Sequence, residues 1–235
     1  MTGAAPITIA CLDLAGTTVA DGGALRAAHT EALAALGLAP GTSAHAAALA
    51  RADAAPAAEA LDLYRAVFAD EARAQAAHLA FESSYERIVG RHGLAPVPGA
   101  EQALDELAKA GVRICLVSSL GRRTLGRVLE ALGWWDRADF AVCPDGAGRG
   151  QPWPDLILSA ALRAGTDDVR HIAVCGGTAE AMLAGRRAGA SIVAGVRTGP
   201  HDAPTLRASG ATHILPSVAD LPPLLLEARE PADPG

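Results

Sequence analysis

Short apolar runs, each ending at a small or polar residue, alternate along this chain with longer stretches of helical periodicity. Residues 7–12 end at Asp13, and residues 112–117 end at Ser118 and Ser119. Residues 140–143, 171–176 and 191–196 repeat the pattern, and 213–215 form a weaker run. Runs that are apolar nearly throughout are read as strands covered on both faces. Between them the spacing predicts helices over 100–110, 123–132, 154–164 and 179–188, closed by Gly111, Gly133, Gly165 and Gly189. Strand–helix repetition through short connections predicts an α/β protein with a doubly wound parallel sheet, a Rossmann-like core.

One segment departs from the alternation: residues 24–93 carry helical patterns and no convincing strand. They stand between the first strand and the helix that precedes the second. A helical excursion leaving beside the carboxyl end of the first strand sits over the crevice where open α/β sheets bind ligands, so it is read as an all-α cap. The expected organisation is a core of residues 1–23 and 94–226, a cap of 24–93, hinges near 21–23 and 96–99, and a tail, 227–235, too polar to be held in place.

Composition narrows the partners. Half of the 235 residues are hydrophobic, much of that alanine, and 3% are aromatic, which favours closely packed layers over a core of large rings. The net charge of −6 is spread without a basic run, which argues against nucleic acid or an anionic membrane surface and for a small-molecule ligand. A homodimer is compatible with the sequence. Residues 1–14 lack a basic leader and their apolar stretch is broken by Asp13, so a cytoplasmic location is expected. Cys11, Cys115, Cys143 and Cys175 have no ligand-like spacing, and are read as reduced cysteines packed at or near strand ends.

Candidate chemistry begins at Asp13-Leu14-Ala15-Gly16-Thr17-Thr18, where an aspartate projects from a strand end into the crevice. This segment resembles the first motif of the haloacid dehalogenase-like (HAD) superfamily, and its alanine two residues after the aspartate resembles the phosphonoacetaldehyde hydrolase (phosphonatase) branch. Ser118 resembles the hydroxyl of the second motif, residues 150–155 (Gly-Gln-Pro-Trp-Pro-Asp) the third, and residues 174–181 with Ala184-Gly185 and Ala188-Gly189 the fourth. Together these cover nearly the whole core, whereas the cap matches only in length and helical character. The resemblance implies Asp13 as a covalent nucleophile, Thr17, Ser118 and Ser119 among the substrate-binding residues, and Mg²⁺ as the usual cofactor.

The departures bear on function. Gln151 stands where the family has a cation, and Gly177 and Ala181 stand where it has the acidic residues that support Mg²⁺. Lys109 is the only lysine and lies on a core helix, not in the cap where phosphonatases carry their Schiff-base lysine. A carboxylate facing one phosphate charge at about 4 Å is repelled by about 4 kcal/mol at an effective dielectric of 20. Unrelieved, that removes several powers of ten in rate. The expected protein therefore has no metal and no cofactor, and Asp13 acts as nucleophile or general base in hydrolase, lyase or cyclase chemistry on a small uncharged or monoanionic metabolite. A binding module with a relict site and a residual phosphatase or phosphonatase are the alternatives. Arg122 and Arg149 are candidate anion clamps, Gln151 and Glu180 candidate substrate contacts, and His29, His45, His78 and Tyr85 candidate cap contributions to the pocket.

Overall fold

The computed structural model describes residues 6–227, so all of the expected tail except Glu227 lies outside the described residues. The chain opens with β1 (Ile9–Asp13) and a two-residue strand, β2 (Val19–Ala20). Four helices follow, α1 (Ala24–Ala35), α2 (Ser43–Ala54), α3 (Ala60–Val67) and α4 (Glu71–His92). After β3 (Ala95–Pro96) come α5 (Ala100–Lys109), β4 (Arg113–Val117), α6 (Arg122–Leu132), β5 (Phe140–Val142) and a single distorted turn, α7 (Pro144–Ala147). The remainder is α8 (Asp155–Ala164), β6 (Ile172–Gly176), α9 (Ala179–Ala188), β7 (Ile192–Val196), α10 (Ala203–Ala208), β8 (His213–Leu215) and α11 (Leu221–Glu227).

Six strands form one parallel sheet in the order β5-β4-β1-β6-β7-β8. The central β1 is buried along its whole length, which is why its sequence reads as an apolar run. Its alternate residues serve two layers. Leu12 packs with Leu104, Leu107 and Leu125 on one face, and Ile9 and Cys11 pack with Leu156, Ile157 and Met182 on the other. The chain moves from β1 outward to β4 and β5 and then crosses to β6, so the winding direction reverses beside β1 and opens a crevice at its carboxyl end, where Asp13 sits. All four cysteines are unbonded and buried; Cys11 and Cys115 are register partners two residues from the ends of β1 and β4.

The segment between β2 and β3 contains helices and no strand. Thr42 and Asp70 cap α2 and α4 by accepting from the amides of His45 and Arg73, at 3.2 and 3.1 Å. Next to the two connections to the core, β2 and β3 pair antiparallel, Val19 opposite Pro96, in a small ribbon. Two-residue strands, one containing proline, carry too little pattern to be read in advance. The helical segment rests on the core through Glu59, whose Oε1 accepts from the Gly150 amide at 2.6 Å, and through the ion pair of Arg123 with Glu86 at 3.0 Å. Among the described residues no helix is long and apolar enough to cross a membrane.

Candidate active site

Between the carboxyl end of β1 and the helices above it lies a cavity of about 830 Å³. Asp13 is on its floor and is only 8% exposed. Oδ1 accepts from the Leu14 amide at 3.0 Å, and the Thr18 hydroxyl donates to the Asp13 carbonyl at 2.9 Å, which fixes the loop that aims the carboxylate. Burial pushes the Asp13 carboxyl up to about 7, against the lowering effect of the Leu14 amide; the nearby Glu180 charge adds to the rise. Among the described residues no side-chain cation bonds to it.

Of the residues singled out from sequence, Ser118 and Ser119 line this cavity with Asp13. Ser118 is buried and its Oγ accepts from the Leu120 amide at 3.1 Å. Thr17 and Gln151 are buried, with Thr17 Oγ1 and Gln151 Oε1 unpartnered. Glu180, in the first turn of α9, is buried beside Asp13 with Oε2 unpartnered. Two candidates are corrected. Arg122 turns away from the cavity, its Nη2 donating to the Asp145 carbonyl at 2.5 Å while its amide donates to Asp145 Oδ2 at 2.7 Å. Arg149 is held by Asp155 at 2.9 Å and stacks on Trp153, 4.2 Å from the ring centroid. Neither lines the cavity beside Asp13, because the Arg122 guanidinium is held by the Asp145 carbonyl and the Arg149 guanidinium by the Asp155 carboxylate.

The helices above supply His29 and Tyr85 to the cavity wall, whereas His45 and His78 do not line it. His29 Nδ1 is 2.8 Å from the Tyr64 hydroxyl and its ring stacks on Phe81 at 4.3 Å between centroids. Burial pulls His29 down to about 4 despite the Asp53 charge, so it is neutral at physiological pH. Its ring-proton resonances in NMR are therefore expected to stay unchanged between pH 8 and pH 5; a midpoint near 6.5, the ordinary value, would contradict the burial described here. Sequence reading missed Arg26, the cationic residue that lines this cavity, which is ion-paired with Asp53 across the mouth. Its position three residues after Gly23, at the start of α1, was the available signal.

The residues present do not fit the Mg²⁺ ion that the motif resemblance implies. At the first vacated acidic position, a Cβ on Gly177 would stand 2.5 Å from Gly199 Cα, so backbone fills the space a carboxylate would need. At the second, Ala181 is fully buried in the layer beneath the sheet. Among the described residues no group of three or more His, Cys, Asp or Glu side chains is placed to hold a metal. One carboxylate with one buried neighbour falls short of the oxygen cage a hard cation takes from protein and substrate.

Comparison with known proteins agrees with the fold. Phosphonoacetaldehyde hydrolase of Pseudomonas entomophila (strain L48) is 34% identical over 104 residues, 44% of this chain and 38% of that relative. The enzyme of the same name from Bacillus cereus is 28% identical over 120 residues, covering 51% of this chain and 45% of its own. The chain thus matches less than half the length of these curated relatives. A hydrolase from Pseudomonas syringae superposes with a TM-score of 0.81 at 26% identity, over 94% of this chain and 98% of that one. A phosphonoacetaldehyde hydrolase-like protein from Oleispira antarctica shares the fold, with a TM-score of 0.81 at 20% identity over 97% and 94% of the two chains. The model of the haloacid dehalogenase-like hydrolases matches residues 7–189, more than half of the chain, which establishes that the chain belongs to that family.

Proposed function

We propose that this protein is an enzyme in which Asp13 transfers a proton to or from a small metabolite held in the crevice, without a metal ion. The observation that carries this reading is a buried carboxylate, fixed by the Leu14 amide and free of any cation, on the floor of a cavity of about 830 Å³. A group titrating near 7 is matched to general acid–base work at neutral pH. The same surroundings disfavour phosphoryl transfer, because an ionised Asp13 facing phosphate has no carboxylate set for Mg²⁺ and no lysine beside it, and the arginine that lines the cavity, Arg26, is paired with Asp53. In this reading the phosphonoacetaldehyde hydrolases share ancestry and fold with this chain but not its chemistry.

The mechanism follows from the chain's own groups. The Leu14 amide orients the carboxylate, Ser118 and Ser119 offer hydroxyls to a substrate oxygen or nitrogen, and the helices above supply the cavity's upper wall. An ionised Asp13 takes a proton from the bound substrate and returns it later in the cycle. The test is a pH–rate profile on whichever member of a small-metabolite panel is turned over. We expect kcat/KM to rise through about pH 7, with equal rates in EDTA and in millimolar Mg²⁺. Activity that vanished in EDTA and returned with Mg²⁺ would sink the metal-free reading.

A further inference from the structure

The upper wall of the crevice carries a histidine whose tautomer is set from behind. His29 on α1, Tyr64 on α3 and Phe81 on α4 pack as one group: the His29 ring stacks on Phe81 at 4.3 Å between centroids, and its Nδ1 is 2.8 Å from the Tyr64 hydroxyl. Tyr64 is fully buried, and among the described residues His29 is the one partner of its hydroxyl. Burial holds the Tyr64 phenol well above its ordinary value, so the hydroxyl keeps its proton. A buried O–H left without an acceptor costs on the order of 1–3 kcal/mol. Tyr64 therefore donates to Nδ1, and the neutral imidazole carries its own proton on Nε2.

His29 lines the crevice, and its Nε2 has no partner among the described residues and is not sealed from solvent. In this tautomer Nε2–H donates and cannot accept. Tyr85, one turn beyond Phe81 on α4, lines the same crevice; it is 3% exposed, and its hydroxyl is likewise unpartnered among the described residues and not sealed from solvent. Two neutral donors thus face the crevice through atoms that hold nothing in the fold together. The surrounding charges exclude two classes of ligand. The charged side chains on the wall are Asp13, Asp21, Asp53 and Arg26, the last paired with Asp53, so an anion meets an excess of carboxylates. An ammonium has no lone pair to offer an Nε2–H. An uncharged acceptor satisfies both conditions.

We propose that His29, through Nε2–H, is the specificity-determining donor of the crevice and binds the carbonyl oxygen of a small uncharged carbonyl compound, with the Tyr85 hydroxyl as a second donor on the same wall. This rests on the reading of the crevice as the substrate site and adds the class of molecule it takes. A carbonyl oxygen offers two lone pairs and brings no proton that needs an acceptor, which matches donors without acceptors. A neutral imidazole is also a fitting group to polarise a carbonyl. Leu25, Leu120 and Val128 on the cavity wall receive the hydrocarbon part. Tyr64 is a positioning residue, because it acts on the ligand only through the proton it gives to His29.

Nitrogen-resolved imidazole NMR of the full chain at pH 8, with cyclohexanone, cyclohexanecarboxylate and cyclohexylamine as probes, tests this. In the free protein His29 is expected to show a protonated Nε2 and an unprotonated Nδ1, and Tyr64→Phe should move both nitrogens toward tautomer-averaged shifts. Cyclohexanone should shift Nε2 and bind more tightly than either charged probe. The double variant His29→Phe/Tyr64→Phe removes both ends of the buried bond while keeping two rings in place, and should weaken cyclohexanone by about three- to tenfold, the loss of one neutral hydrogen bond. Tyr85→Phe breaks no bond within the described residues and should weaken it by a similar factor with the His29 tautomer unchanged, so the test stands even if the double variant does not fold. A proton on Nδ1, shifts unmoved in Tyr64→Phe, an Nε2 that ignores cyclohexanone, tighter binding of the carboxylate or the amine, or full ketone affinity in both ring variants would each overturn the proposal. Binding is read without turnover: a carbonyl compound held at His29 but converted equally well by Asp13→Asn would leave this inference standing and remove Asp13 chemistry, whereas turnover through Asp13 of a metabolite that ignores His29 would do the reverse.

Discussion

Asp13→Asn is expected to lower turnover by at least about 10²-fold, the lower end of what a positioned acid–base group supplies, while making the folded protein more stable above pH 7. The two effects have one cause. Burial raises Asp13 from its ordinary 3.8 to about 7, so the folded chain holds this proton more tightly than the unfolded chain does. The sign follows: the favourable contribution is fully present below about pH 4, is lost progressively as pH rises, and above about pH 7 the folded state carries an ionised buried carboxylate at full cost. That cost is on the order of 4 kcal/mol for a rise of this size. Asparagine keeps the shape and still accepts from the Leu14 amide. Urea denaturation of both proteins at pH 4.5 and pH 8 measures the difference, which should widen toward pH 8. Equal stability at pH 8 with unchanged turnover would mean that Asp13 is neither strained by burial nor used.

This pairing of lost rate with gained stability separates a working carboxylate from a relict one. A relict residue freed from selection has no reason to remain buried and uncompensated when a neutral side chain of the same size relieves the strain. A working acid–base group retains the strain because the raised pKa is what makes it useful near neutral pH. Enhanced stability with no loss of rate on any metabolite, together with ligand-induced stabilisation, would instead place the protein among ligand-binding modules.

The parallel core was legible because buried parallel strands are apolar on both faces, so β1, β4, β6 and β7 stand out as runs whose ends fall within a residue or two of those observed. Glycines closing α6, α8 and α9 in the left-handed conformation marked the helix ends equally well. The candidate site was legible at Asp13, Ser118 and Ser119, which strand ends deliver to the crevice directly, and at His29 and Tyr85 among the cap residues singled out. Loop arginines were not, because a partner decides where they point: Asp145 lies 23 residues beyond Arg122, and no local pattern announces that pairing. The Arg26–Asp53 pair spans 27 residues between two helices of the inserted segment and was invisible for the same reason. Nor does composition reveal that two glycines far apart in the chain touch, which bears on why the metal carboxylate is absent.

Gly177→Asp restores the carboxylate that the family's fourth motif carries, yet it is expected to destabilise the protein by about 1–3 kcal/mol or more and to create no Mg²⁺ response. A Cβ at 177 would lie 2.5 Å from Gly199 Cα and 3.0 Å from its amide nitrogen, and a Cβ at 199 would lie 2.4 Å from Gly177 Cα. Both contacts are with backbone, which cannot swing aside as a flexible side chain does. The loop is also tied in place, since the Thr198 hydroxyl donates to the Gly16 carbonyl at 2.7 Å and the His201 amide to the Gly177 carbonyl at 3.4 Å. Any side chain at 177 must push residues 198–200 outward and open the wall of the crevice that they line. Gly177→Ala isolates the steric part and should lose nearly as much stability as Gly177→Asp, whereas a loss confined to the aspartate variant would point to charge repulsion with Asp13. Urea denaturation gives the stabilities, and melting temperatures with and without millimolar Mg²⁺ report the metal. Wild-type stability in Gly177→Asp, with a melting temperature that climbs on adding Mg²⁺, would show that the crevice keeps room for the ion and that the glycine was a simple loss. The expected result makes it a structural commitment: the loop at 198–200 occupies the space a side chain at 177 would need, so restoring this carboxylate alone does not make an ion site.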